Sequence, residues 1–168
     1  MEITAEMVKK LRMKTGAGIM ASKKALEDSK GDFSKAEQVL QEQGLALAAK
    51  KAGRDTSEGV VQSYIHTGGR IGALVEVKCE PDFVARTQEF VDLSKNLAMQ
   101  IAAMNPSYVD RKSIPNDEKE DLGSEEILLE QAYIRDQSLT IEDIIKEVVS
   151  KVGENIIISR FKRFDLSS

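Results

Sequence analysis

The stretch VVQSYIHTGGRIGALVEVKCEPDFVAR, residues 60–86, decides the fold. In its second half Ile71, Ala73, Val75, Val77 and Cys79 alternate with Gly72, Leu74, Glu76 and Lys78. That period of two puts every other side chain on one face of a strand. Val60, Val61, Tyr64 and Ile65 give the first half the β-branched and aromatic composition of a partner strand. Between the halves, Thr67-Gly68-Gly69-Arg70 supplies glycines that can take the positive φ angles of a tight hairpin turn. Pairing should stop at Glu80-Pro81, because proline brings no N–H to the ladder. The hairpin therefore runs out into an acid and an aromatic, Asp82 and Phe83, before the next element begins.

Downstream the period lengthens. Phe90, Leu93, Leu97, Ile101 and Met104 step by three and four, so the spacing predicts one long helix over residues 87–104 that Asn105-Pro106 ends. Residues 114–135, with the run Asp117-Glu118-Lys119-Glu120-Asp121, read as an acidic surface excursion. Thr140 and Asp143 have the spacing of a capping box, and Ile141, Ile144, Ile145, Val148 and Val152 form the helix face behind it, closed by Gly153. Residues 155–164 read as a last strand. Paired with the hairpin it gives three antiparallel strands under two helices, an α+β domain.

Upstream, residues 1–53 read as a miniature three-helix bundle. Thr4 can cap a first helix carrying Met7, Val8 and Leu11, which Thr15-Gly16-Ala17-Gly18 breaks. A second helix carries Ala21, Ala25 and Leu26 and stops near Gly31. Asp32 can cap a third with Phe33, Ala36, Val39 and Leu40 on one face; Gly44 is expected to interrupt it, with helix resuming over residues 45–52. The expected organisation is a bundle at 1–53, a polar linker at 54–59 and a core domain at 60–168.

Composition limits the chemistry. The chain has 168 residues, 41% hydrophobic and 31% charged, the balance of a globular protein. No apolar run approaches the about 18 residues of a membrane span, so no membrane partner is expected. The start, MEITAEMVKK, lacks the basic-then-apolar pattern of a secretory signal. One cysteine and one histidine exclude an intrachain disulfide, a multi-cysteine zinc site and a histidine-rich metal centre. Residues 1–54 carry 11 basic and 7 acidic side chains and the remainder 13 and 21, so a bundle of net +4 precedes a body of net −8. Lys9, Lys10, Lys14, Lys23 and Lys24 could form a basic patch, but phosphate binding gains from aromatic stacking and the bundle's only aromatic is Phe33. Solvated helix faces outrank direct nucleic-acid binding.

Cys79 and His66 are the only conventional nucleophile and base, and the hairpin could bring them close. Cys79 nevertheless sits on the apolar register, where a free cysteine is usually a small core residue, and His66 abuts a glycine turn. Asp82 has no convergent carboxylate beyond Glu80. There is no Walker loop, HExxH or GxSxG, so no enzyme activity, cofactor or metal is expected. Residues 80–86 have two readings. In one, they are a strand–helix connection with Asp82 an N-cap and Phe83 plugging the core, which composition alone favours. In the other, Asp82 and Phe83 are an exposed wedge aimed at a partner. Ile19 and Met20, after a glycine break, are either bundle core or an exposed apolar contact.

Four stretches carry a resemblance. Residues 11–20 (LRMKTGAGIM) with Lys23-Lys24-Ala25-Leu26, residues 76–86 (EVKCEPDFVAR), residues 48–54 (AAKKAGR), and Gly153-Glu154-Asn155-Ile156 with Arg160-Phe161 together resemble the translation elongation factor Ts family, nearly end to end. The resemblance implies a ubiquitin-associated-like N-terminal bundle, then a core domain. It implies guanine-nucleotide exchange on elongation factor Tu, in which an Asp-Phe pair enters the GTPase near its nucleotide-bound magnesium. That pair falls on Asp82 and Phe83, flanked by Pro81 and Val84, and the family's N-terminal contacts fall on Arg12, Ile19 and Met20. Pro81 stands where the family usually has threonine, which should stiffen the approach to Asp82. Long members have two core halves and a protruding helical hairpin. This chain resembles short members, which pair as homodimers, and even their helical insertion, around 109–135, is shortened. The resemblance places the chain in the cytoplasm, or in the plastid stroma if organelle-encoded.

Overall fold

In the computed structural model, which describes residues 3–116, 118 and 122–167, Thr4 accepts the Met7 N–H and starts α1 (Ala5–Thr15). Gly16 ends it in the left-handed conformation, and α2 (Ile19–Asp28) and α3 (Phe33–Lys51) follow. Val8, Leu11, Ala25, Leu26, Ala36 and Leu40 form a small core among the three helices. The interruption expected at Gly44 does not occur: α3 runs for 19 residues. Gly44 is buried where α3 packs on a later helix, so tertiary contact offsets its poor helix propensity.

Three strands form one antiparallel sheet in the order β1 (Glu58–Ile65), β2 (Ile71–Cys79) and β5 (Ile156–Asp165). β1 begins two residues inside the segment read as linker. Val60 lies opposite Val77, Gln62 opposite Val75 and Tyr64 opposite Ala73. The turn is built as its composition suggested, with Gly68 and Gly69 both at positive φ.

Ala73, Val75, Val77 and Cys79 point inward beneath α4 (Gln88–Met104) and α5 (Ile141–Val152), where Phe90, Leu93, Leu97, Ile101, Ile141, Ile145 and Val149 complete the larger core. Ala48, near the end of α3, belongs to this second core. The capping box of α5 is complete: Thr140 Oγ1 accepts the Asp143 N–H at 3.2 Å, and Asp143 Oδ2 accepts the Thr140 N–H at 2.9 Å. The fold is mixed α+β, with helices on one face of the sheet.

Residues 114–135 are more than a surface excursion. Ile114, Ile127, Leu128 and Tyr133 are buried. Short 3-10 turns lead into a second, two-stranded sheet of β3 (Ala132–Tyr133) and β4 (Asp136–Thr140). The fully buried Gln100 of α4 holds this segment, donating to Gln131 Oε1 and the Ala132 carbonyl at 3.1 Å each and accepting the Ile134 N–H at 3.0 Å. Most of the acidic run at 117–121 lies outside the described residues; Glu118 accepts from the Tyr108 hydroxyl. Among the described residues, no helix is long and apolar enough to cross a membrane.

A candidate protein-binding site

The corner after β2 is braced at every step. The buried Cys79 thiol donates to the Pro81 carbonyl at 3.3 Å, and the same carbonyl accepts the Val84 N–H at 3.2 Å. Residues 84–86 make one 3-10 turn, after which Thr87 caps α4 by accepting the Phe90 N–H and ties back to the Val84 carbonyl at 2.7 Å. Val84 is fully buried, whereas Phe83, one residue earlier, is 57% exposed. Asp82 is exposed beside it, its carboxylate paired with Arg86.

This overturns the reading that composition favoured. Thr87, not Asp82, is the N-cap, and Val84, not Phe83, plugs the core. Val84 therefore serves the predicted site from below: its side chain is spent on anchoring the turn, and only Asp82 and Phe83 are exposed, with Pro81 half-buried. Sequence reasoning missed two supports. Arg86 stands four residues after Asp82, a spacing at which opposite charges meet on a helical turn. Cys79 acts as a brace, a role no spacing rule signals.

The bundle offers a second exposed patch. Arg12 on α1 and Ile19 at the start of α2 line one shallow groove with Val8, Lys9 and Lys23. Ile19 and Met20 are both exposed, so the core reading of Met20 fails. Three of the five lysines are engaged within the bundle: Lys14 pairs with Glu37 at 2.6 Å, Lys23 with Glu27 at 3.7 Å, and the Lys10 ammonium sits 5.6 Å from the centre of the Phe33 ring.

Cys79 and His66, which the hairpin could have brought close, lie apart. Cys79 lies opposite Glu58, at the far end of the hairpin from His66, so at about 3.4 Å per residue the two are more than about 20 Å apart. Burial pushes the Cys79 thiol pKa up, away from reactivity. His66 Nδ1 lies 3.1 Å from the Tyr64 hydroxyl. Among the described residues, no three His, Cys, Asp or Glu side chains gather to hold a metal.

An aromatic displayed on a braced turn and an exposed apolar helix end make this mixed α+β scaffold's candidate protein-binding surface. Comparison with known proteins identifies its family. The family described as Elongation factor TS matches residues 9–123. Elongation factor Ts of Caldanaerobacter subterraneus subsp. tengcongensis is 47% identical over 192 aligned positions, covering 97% of this chain and 96% of that protein. The Fervidobacterium nodosum protein of the same name is 46% identical, covering 99% of each, and the Rippkaea orientalis one 48%, covering 98% of this chain and 78% of its own length. The chain belongs to the elongation factor Ts family of translation elongation factors. Each of these alignments is longer than the 168 residues of the chain, so the relatives carry internal residues that this chain lacks.

Proposed function

We propose that the chain is a guanine-nucleotide exchange factor for elongation factor Tu: it binds the GDP-loaded GTPase, loosens the magnesium bound with the nucleotide, and releases GDP so that GTP can reload. The observation that carries this reading is Phe83, more than half in water on a turn pinned by the fully buried Val84. An aromatic displayed this way contributes little to its own fold and much to an interface.

A GTPase holds its nucleotide through backbone N–H groups, a lysine and magnesium bridging the phosphates. Exchange breaks no bond, so it calls for no catalytic group on this chain. The factor binds the nucleotide-free GTPase more tightly than the loaded one, and linkage makes each ligand weaken the other equally. Phe83 enters an apolar cleft and displaces the element that supports the magnesium shell. Magnesium demands near-ideal octahedral oxygens, so a small displacement suffices. Asp82, released from Arg86, adds an acceptor beside that element, and Arg12, Ile19 and Met20 grip the nucleotide domain from the side.

Two chains pair in the same reading. Val61, Ile65, Leu74 and Phe164 are exposed on the sheet face opposite α4 and α5, and the proposed occupant is a second copy; sedimentation should give twice the chain mass. The compartment that goes with this function is the cytoplasm. The direct test is release of fluorescent GDP from purified elongation factor Tu. Acceleration is the expected result, with a higher half-saturating concentration for Arg12→Ala. A folded wild type that leaves release unchanged would refute exchange and favour a binding module with another partner.

A further inference from the structure

The bundle and the root of the Phe83 turn lie far apart in sequence but are joined along one seam. Where α3 crosses α5, a Cβ placed on the buried Gly44 would lie 2.1 Å from Ser150 Oγ and 2.8 Å from Ser150 Cβ, yet 3.9 Å from Ser150 Cα. Ser150 thus fills the space that a side chain at 44 would need, and the helices approach as closely as a glycine allows. Beside it, Gly16 at the end of α1 lies against Lys151, whose Cγ would be 2.7 Å from a Cβ at that position. Further along, Lys51 pairs with Glu154 at 3.1 Å in a largely shielded setting.

The seam continues to the root of the turn. Asn155 Nδ2 donates to the Arg54 carbonyl at 3.0 Å, and the Asn155 N–H donates to Glu80 Oε1 at 2.7 Å. Arg54 Nη1 reaches Glu80 Oε2 at 3.5 Å. The Asn155 N–H, with Arg54 beside it, holds the Glu80 carboxyl below its ordinary range, so it is an anion at neutral pH. Glu80 immediately precedes Pro81, Asp82 and Phe83.

We infer that this seam makes the bundle and the Phe83 turn one rigid body, with Gly44 and Glu80 as its positioning residues. Gly44 sets the spacing of α3 on α5, and Glu80 ties the exit of α3 to the base of the turn. The functional consequence rests on the exchange reading above. Two contact faces held at a fixed separation engage one partner without a second ordering cost, whereas a loose arm must bring its second face into place each time.

The test is a size swap in the full chain. Gly44→Ala drives a methyl into Ser150, and Ser150→Gly removes both atoms it meets, leaving Cα at ordinary contact. Spin labels at Met13→Cys on the bundle and Gln88→Cys on α4, in chains diluted with excess unlabelled wild type so that a dimer holds one labelled copy, report the distance between bundle and core, with Cys79 buried and unlabelled. The wild-type background should give one narrow distance distribution. Gly44→Ala should shift or broaden it, and Gly44→Ala/Ser150→Gly should restore it. In GDP release, Gly44→Ala should raise the half-saturating concentration about tenfold with little change in the saturated rate, and the double variant should recover. Glu80→Gln, which keeps an acceptor for the Asn155 N–H, should stay close to wild type, while Glu80→Ala broadens the distribution. A broad wild-type distribution, or a double variant that fails to restore it, overturns the rigid seam. A restored distance without a restored half-saturating concentration overturns its role in partner binding. Narrow and restorable distances in a chain that never accelerates GDP release uphold the seam and refute the exchange reading instead.

Discussion

Truncating Phe83 and Val84 in turn separates display from anchorage. Complete burial of a phenylalanine side chain is worth about 1.5–3 kcal/mol. With Phe83 57% exposed, the fold recovers less than half of that, so Phe83→Ala should cost about 1 kcal/mol and lower Tm by no more than about 4 °C in a chain of this size. Val84 is fully buried. Val84→Ala removes two methyl groups from a packed core at about 2 kcal/mol, which lowers Tm by about 4–8 °C. The order reverses at the interface, where truncating a central aromatic costs about 2 kcal/mol or more, roughly 30-fold in rate at subsaturating factor. Stopped-flow release of fluorescent GDP and thermal melts followed by circular dichroism read the two effects independently. Phe83→Ala should melt almost like wild type and exchange poorly; Val84→Ala should melt early and retain more exchange. If Phe83→Ala melts as early as Val84→Ala, Phe83 is anchored in the fold. If it melts normally and exchanges normally, the wedge is wrong.

Three further outcomes follow from the same geometry. Cys79, buried and with its thiol pKa raised by that burial, should resist alkylation at pH 8 in the native chain and react only in denaturant; rapid native labelling would contradict the brace. Thr140→Ala should cost about 1 kcal/mol at pH 7 through loss of the α5 cap, read as Tm. The Thr140 N–H, helped by its hydroxyl, holds the Asp143 carboxyl below its ordinary 3.8. Alanine keeps the N–H and loses only the hydroxyl's share; that share is complete above the ordinary value and lost as pH falls through the lower folded one, so the gap between Thr140→Ala and wild type should narrow in acid below 3.8. Gln100→Leu strands the buried Gln131 Oε1, together with the part-buried Ile134 N–H and Ala132 carbonyl; an unpaired buried polar group costs about 1–3 kcal/mol, so urea midpoints should fall well below wild type.

Much of this was legible because it was periodic. The strand alternation through Cys79, the three-four stripe from Phe90 to Ile101 and the Thr140–Asp143 spacing each encode one local geometry, and each element formed where its pattern stood. What failed was set by contacts distant in sequence. Gly44 read as a helix break because propensity is local, while the Ser150 side chain that replaces a missing methyl lies more than a hundred residues away. The segment around Ile127, Leu128 and Tyr133 read as surface because two-residue strands and single 3-10 turns have no period, and what organises them is one glutamine on another helix. At the site, adjacency misled: of two neighbouring apolar residues, composition sends the larger, Phe83, inside. The 3-10 turn that follows the proline admits only one of them, and it buries Val84.

That choice links the sheet to the proposed activity. A strand that simply continued would point Phe83 and Val84 to opposite faces of a paired ladder, with Phe83 inside a neighbour's reach. Pairing ends at Cys79, two residues before Pro81, whose carbonyl collects both the Cys79 thiol and the Val84 N–H, so the chain turns at once. The turn is stiff because its acceptor is shared, and it is aimed because Val84 has nowhere to go but the core. A flexible loop with the same two residues would lose part of any interface energy to ordering Phe83 on binding. Here the fold has already met that entropy through Cys79, Val84 and the Thr87 cap, none of which needs to touch a partner. Substitutions at those three positions should therefore weaken exchange in proportion to how far they free Phe83, whereas Asp82 and Phe83 themselves act by contact.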